Sequence, residues 1–269
     1  MSKRFNIAVL AKQVPDTRQV AKDAMNPDGT INRAALSAIF NPDDLNALEQ
    51  ALTIKEQFPE SLITIITMGP ERAKEIVLEA FFRGADKGFL LSDRLFAGAD
   101  TLATSYALST AIKKIGSFDI IICGCQAIDG DTAQVGPQVA EKLGLPQITY
   151  CERIEKIEES SITIRRIIKG GIEIVESPLP AVITVNGRAK PCRPRNIKLL
   201  IANKNREVPV INVADIDADP SKCGLSGSPT KVKTICNIVF QAKESCHYDS
   251  TDAGIECLVE QLVSNHTIG

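Results

Sequence analysis

Apolar runs of strand length alternate with stretches of helical period over the first half of the chain. Residues 6–10 (NIAVL) predict a first strand. Asn41-Pro42-Asp43-Asp44 predicts a helix start, with Asn as N-cap, Pro at the first helical position and acids against the positive end of the dipole. Leu45, Leu48 and Leu52 then keep one apolar face. Residues 61–67 (SLITIIT) are almost continuously apolar, as in a strand covered on both sides. Gly69-Pro70-Glu71 opens a second helix with Ala73, Ile76, Val77, Ala80 and Phe81 on its face. A short strand at 88–92 (GFLLS) follows, then a helix capped by Asp100 and carrying Leu102, Tyr106, Ile112 and Ile115, then a strand at 118–123 (FDIIIC). The next helix closes at Gly144, with Pro146 just beyond. Strands alternating with helices imply βαβ units, so the expected fold is α/β: a doubly wound, mostly parallel, Rossmann-like sheet.

After Gln147 the pattern turns strand-like, and helical period disappears up to about residue 185. Lys169-Gly170-Gly171 supplies a hairpin turn between 161–168 and 172–176, so these strands are expected to extend the sheet antiparallel at one edge. From Asn186 to Ile235 the chain is rich in Pro, Gly, Asn and Lys and lacks period, which reads as an extended arm. Asp252 to Val263 predicts a last helix with Ile255, Leu258, Val259 and Leu262 on one face. The expected division is an α/β domain over 1–186, an arm over 187–235 and a C-terminal segment with a helix over 236–269.

Composition narrows the function classes. The 269 residues, 44% hydrophobic, suffice for one or two domains with a sizeable core. A net charge of -2 does not suit a nucleic-acid binder. No apolar run reaches 18 residues, so no membrane span is expected, and the N-terminal apolar run is too short for a signal core. A cytoplasmic location is the expectation. Eight cysteines without a C-x-x-C pair read as unpaired thiols, with Cys123 and Cys125 placed on one face at a strand end. Only His247 and His266 are present, too few for a histidine-based triad or zinc site, and no catalytic residue or metal is expected.

The candidate site is the break in "IICGCQAIDGDTAQVGPQVAEKLG" (121–144). In a doubly wound sheet, ligands bind beyond the carboxyl ends of the strands where strand order reverses. Gly130 would allow a tight turn, and Asp131 would cap the following helix. The amides of Thr132, Ala133, Gln134 and Val135 would then face a phosphate at its positive end. Pro137 is expected to kink the first turn or delay the helix. Neither of the two best nucleotide fingerprints, G-x-G-x-x-G and G-x-x-x-x-G-K-[ST], is complete. From these residues alone, a capped helix start with an ordinary polar loop explains the segment equally well, and Asp129 with Asp131 as an acid/base or metal pair is a lesser alternative.

Several separate stretches resemble one family. "KQVPDT" (12–17), "NPDDLNALEQAL" (41–52), "AIDGDTAQVGPQVAEKLGLP" (127–146), "IRRIIKGGIEIVESPLPAVIT" (164–184) and "DADPSKCGLSGSPTKV" (217–232) are similar to the β subunit of electron-transfer flavoproteins, with a departure at Lys169, where the pattern usually has an acid. The resemblance implies pairing with a larger α subunit that holds FAD, and an adenine nucleotide bound by the β chain itself: AMP in conventional members, a second FAD in electron-bifurcating ones. The loop 130–137 and "GLSGSPT" (224–230) resemble the bifurcating group. There, electrons from NADH are split between ferredoxin and an acyl-CoA dehydrogenase or related flavoenzyme, so the chain would be a redox subunit rather than a free-standing enzyme. The resemblance assigns the nucleotide to Leu10, Ala11, Asn41, Asp44, Met68, Ala127, Ile128, Asp129, Gly130, Asp131, Thr132, Ala133, Gln134, Val135, Gly136 and Pro137. It likens "RAKPCRPRNIKL" (188–199) to a partner-docking segment, with Arg193, Arg195, Asn196 and Ile197 as contacts. A solvated basic loop is the plain alternative there, and a nucleotide-binding sensor without redox function is the alternative for the whole chain.

Overall fold

The computed structural model describes residues 4–16, 37–230 and 245–268. Its centre is a nine-stranded sheet. Strands β1 (Asn6–Ala11), β4 (Leu62–Met68) and β6 (Ile120–Gly124) are dominated by Ile, Val, Ala and Leu and buried on both faces, which the parallel order requires. The remaining sheet strands are β5 (Lys87–Leu91), β7 (Gln147–Ile157), β8 (Ser161–Ile168), β9 (Gly171–Pro178), β10 (Ala181–Val185) and β11 (Val210–Ile211). Their order is β11-β5-β4-β1-β6-β10-β7-β8-β9. Two short strands, β2 (Gln13–Pro15) and β3 (Ala38–Phe40), pair antiparallel beside it.

Helices α1 (Pro42–Gln57) and α2 (Lys74–Phe81) cover one face, burying Ala47, Leu48, Ala51, Ile76, Val77 and Ala80. Helices α3 (Thr101–Ile115) and α4 (Val135–Leu143) cover the other with Ala107, Leu108, Ala111, Ile112, Val139 and Ala140. The chain runs outward from β1 through β4 to β5, then returns through α3 across the sheet to β6 on the other side of β1. Strand order therefore reverses between β1 and β6, and a crevice opens at their carboxyl ends.

The antiparallel edge forms as expected: β7, β8 and β9 are consecutive antiparallel neighbours, and Ile168 pairs with Gly171 across a two-residue turn in which Gly170 is left-handed (φ 91°). The last strand of that stretch goes elsewhere. Ala181–Val185, buried at every position, inserts between β6 and β7 and runs parallel to both. The aperiodic stretch after Asn186 holds the short helix α5 (Ile197–Asn203) and β11, which adds to β5 at the far edge. Val213, Ile216, Ala218 and Cys223 from that stretch are buried in the α3–α4 layer. They enter one at a time from an irregular path, so no period announces them. Helix α6 (Asp252–Ser264) buries none of its residues. Among the described residues, no helix is long and apolar enough to cross a membrane.

Candidate functional site

The crevice at the switch point is a cleft of about 850 Å³. Its floor is Leu10, Ala11 and Lys12 from the end of β1, Met68 from β4, and Cys123, Gly124 and Cys125 from β6. Gly124 permits this convergence. A Cβ there would lie 2.6 Å from both Asp43 Cβ and Asp44 Oδ1, so only glycine lets the first turn of α1 touch the strand end. Asp44 uses that approach. Its two carboxylate oxygens accept the backbone N–H groups of Lys12 and Gly124, each at 2.8 Å, and so tie β1, β6 and α1 together. Burial pushes its pKa up to about 7, against the opposing pull of the Lys12 and Gly124 amides and of Asn41.

Asn41 occupies the expected N-cap position of α1, but its side chain caps nothing in the helix. Its amide Nδ2 donates to Gln126 O at 2.9 Å, and its Oδ1 accepts the Ile128 N–H at 3.2 Å. It thereby holds the loop that follows β6 against the cleft. The expectation for Cys123 and Cys125 fails, because β6 ends at Gly124 and strand alternation stops there. Cys123 packs in the α3–α4 layer, whereas the Cys125 thiol donates to Asp43 Oδ2 at 3.0 Å. Burial, aided by that carboxylate, pushes the Cys125 pKa up to about 12, so neither thiol is poised as a thiolate.

The loop itself departs from the expected chemistry in three respects. The tight turn expected at Gly130 forms, with its N–H donating to Ala127 O at 3.2 Å, but no close approach needs the glycine: a Cβ there would meet nothing within 4 Å, and the left-handed residues are Asp131 (φ 47°) and Ala133 (φ 53°). Asp131 is exposed and does not cap the helix: the N-cap of α4 is Gln134, and no side chain caps that end. Pro137 neither kinks nor delays the helix, which is regular from Val135. Pro137 falls in the first turn, where an N–H would have no intrahelical partner anyway. As a result the backbone N–H groups of Thr132, Ala133, Gln134, Val135 and Gly136 meet no acceptor among the described residues. Gly130 to Gly136 all line the cleft. A row of unpaired amides on a bend containing left-handed residues, at the positive end of a helix dipole, is an anion cradle.

Sequence reasoning missed the opposite wall: Phe96, Gly98, Ala99, Asp100, Thr101 and Leu108, with Pro229 and Thr230. Asp100 organises it. One oxygen caps α3 through the amides of Leu102 (2.9 Å) and Ala103 (3.0 Å); the other accepts the Thr230 hydroxyl (2.7 Å) and N–H (3.1 Å). Burial works to raise the Asp100 pKa, but these bonds together hold it below the usual carboxylate range. Ser228 Oγ accepts the Asp100 N–H at 2.8 Å, so residues 228–230 are clamped to the start of α3. The available signal was Asp100 read as a cap; nothing in sequence shows that its second oxygen faces residues 130 positions away. Across the cleft, Thr101 Oγ1 donates to Gln134 Oε1 at 2.8 Å and Ser105 Oγ donates to Gln138 Oε1 at 2.9 Å, joining α3 to α4.

Of the expected nucleotide residues, Leu10, Ala11, Asp44, Met68, Ala127 and 130–136 line the cleft; Asn41, Ile128 and Asp129 hold its loop by hydrogen bonds, and Pro137 lies outside the lining. The expected docking residues separate. Arg195, Asn196 and Ile197 are exposed, and Asn196 caps α5. Arg193 turns inward. Its backbone N–H and guanidinium bind the fully buried Glu49 at 2.8–3.0 Å, and the guanidinium also reaches Glu56. Lys190 adds a fourth contact to Glu49 at 2.9 Å. Burial alone would raise the Glu49 pKa, but Arg193 and Lys190 outweigh it and hold the carboxyl at about 2.

Fold and cleft together define a doubly wound α/β chain with a ligand-sized cleft at its switch point. Comparison with known proteins carries this further. The electron transfer flavoprotein domain model matches residues 28–217. The electron transfer flavoprotein subunit beta of Megasphaera elsdenii is 42% identical, covering 98% of this chain and 100% of its own. The caffeyl-CoA reductase-Etf complex subunit CarD of Acetobacterium woodii is 43% identical over 85% of this chain and 86% of its own. The acryloyl-CoA reductase electron transfer subunit gamma of Anaerotignum propionicum is 40% identical over 98% and 100%. The chain belongs to the electron transfer flavoprotein family, as a β subunit that works in electron transfer together with an α subunit.

Proposed function

We propose that this β subunit holds FAD in the cleft and serves flavin-based electron bifurcation in the cytoplasm. NADH would be the electron donor, with ferredoxin and an acyl-CoA dehydrogenase-type flavoenzyme as the two acceptors. The observation that carries the reading is the row of unpaired amides from Thr132 to Gly136 lining a cleft of about 850 Å³. The residues present suit the cofactor. The amides and the α4 dipole match a diphosphate, and the apolar stretch of Met68, Phe96 and Leu108 matches a ring system. The cleft volume lies toward the upper end of the range of roughly 300–1000 Å³ usual for small-molecule sites, which leaves room beyond a mononucleotide.

Bound FAD would supply the chemistry of accepting a hydride and releasing single electrons. This chain's residues bind and orient it. The amides fix the phosphates, Asp44 and Asn41 lock the floor and loop, and the α3–α4 polar bridge holds the two walls at a set separation. The acyl-CoA reductase names of two relatives support an acyl-CoA-linked partner for this chain also. The rival reading, a structural AMP on the same amides, uses only the loop end of the cleft. Cofactor extraction from the purified heterodimer separates the two: two FAD per heterodimer supports bifurcation, whereas one FAD with one AMP refutes it.

A further inference from the structure

We propose that Lys12 is a phosphate-binding residue of the cleft, and that its ammonium leaves Asp129 for the phosphate of the bound nucleotide. This rests on the adenine-nucleotide reading above and adds a residue that neither the loop pattern nor the resemblance assigned. Lys12 follows directly on β1, and its backbone N–H is pinned to Asp44 at 2.8 Å, so the root of the side chain is fixed at the cleft floor. The ammonium is about half exposed and contacts both oxygens of Asp129, at 2.7 and 2.8 Å. Asp129 lies on the bend that leads into the unpaired amides: the two residues after it, Gly130 and Asp131, both donate their N–H groups to Ala127 O.

Charge makes the case. The cleft lining contains three acids, Asp44, Asp100 and Asp131, and one base, Lys12. The acids alone would repel a phosphate. Amides contribute only partial charges, so a full positive charge strengthens the hold on the anion, and Lys12 is the sole cation of the lining among the described residues. In the free cleft Asp129 keeps that cation at the mouth. An exposed pair of this kind holds weakly, whereas a phosphate presented beside five free amides offers more charge and more acceptors. The exchange therefore favours the ligand, and Asp129 acts as a place-holder.

The test uses the heterodimer freed of its β-site nucleotide, with AMP and adenosine as probes in calorimetric titrations. Lys12→Met should weaken AMP by about tenfold or more, the loss expected for one charge-assisted contact, while adenosine changes less than about twofold. Asp129→Asn should leave AMP affinity equal or raised. Lys12→Arg should retain most of it. Equal losses of AMP and adenosine in Lys12→Met would overturn the proposal. So would a loss of AMP in Asp129→Asn as large as that in Lys12→Met, because the pair would then be a structural clip on the loop. If the unaltered heterodimer binds neither probe, the adenine-nucleotide reading itself falls and the role of Lys12 with it; if it binds both and Lys12→Met is silent, only the Lys12 assignment falls.

Discussion

Replacing Gly136 with alanine places a methyl group in a space the structure does not provide. The added Cβ would lie 2.6 Å from Thr184 Cγ2 and 2.9 Å from Cys123 Sγ. Both neighbours are buried on central strands, β10 and β6, so neither can swing aside. Ordinary contact needs about 3.5–4.0 Å, so the first turn of α4 must retreat by on the order of 1 Å. Overpacking of this kind costs about 1–3 kcal/mol. The unpaired amides ride on that turn, so the retreat also displaces the proposed anion site. Gly130→Ala is the matched control: its Cβ meets nothing within 4 Å and its backbone is not left-handed. There the effect should be neutral or stabilising by up to about 1 kcal/mol, through the unfolded chain. The assay is denaturant unfolding of the heterodimer beside measured nucleotide content. Gly136→Ala within about 0.5 kcal/mol of the unaltered protein and fully loaded would refute the packing argument, since that is the range of neutral surface changes.

Asp44 should make stability pH-dependent: its folded pKa is raised from 3.8 to about 7, so the favourable contribution is complete below about pH 4 and is lost as pH rises through 7. The loss is about 4 kcal/mol at most, and Asp44→Asn should flatten the denaturation midpoint between pH 5 and 8. Glu49 has the opposite sign: its pKa is lowered from 4.5 to about 2, so its contribution is present above 4.5 and disappears on acidification toward 2. Arg193→Ala would strand that buried carboxylate and should cost about 3–5 kcal/mol in unfolding free energy, whereas Glu49→Gln with Arg193→Met should recover part of it. Arg195→Glu, altering an exposed charge, should slow electron delivery to the partner flavoenzyme at low ionic strength without changing the unfolding midpoint; a stability loss equal to that of Arg193→Ala would contradict this separation.

What the sequence determined by itself was everything carried by period and by strong local signals. Buried strands such as 62–68 announce themselves because both faces are apolar. α1 and α3 announce themselves because Asn41-Pro42 and Asp100 end one conformation and begin another. The Lys169-Gly170 turn is likewise a local requirement for a left-handed residue. The position of the loop that lines the cleft was legible, but its mechanics were not. Gly130 looked like the special residue, while the constraint fell on Gly124 and Gly136, whose missing Cβ atoms matter only because α1 and β10 arrive against them from elsewhere in the chain. The same holds for Arg193, one basic residue among several until Glu49 is found buried beneath it, and for Thr230, silent until Asp100 turns a second oxygen toward it. Local propensity is written in neighbouring residues. Close approach, charge pairing over more than a hundred positions and the reversal of strand order are set by how the chain packs, and only the tertiary structure decides them.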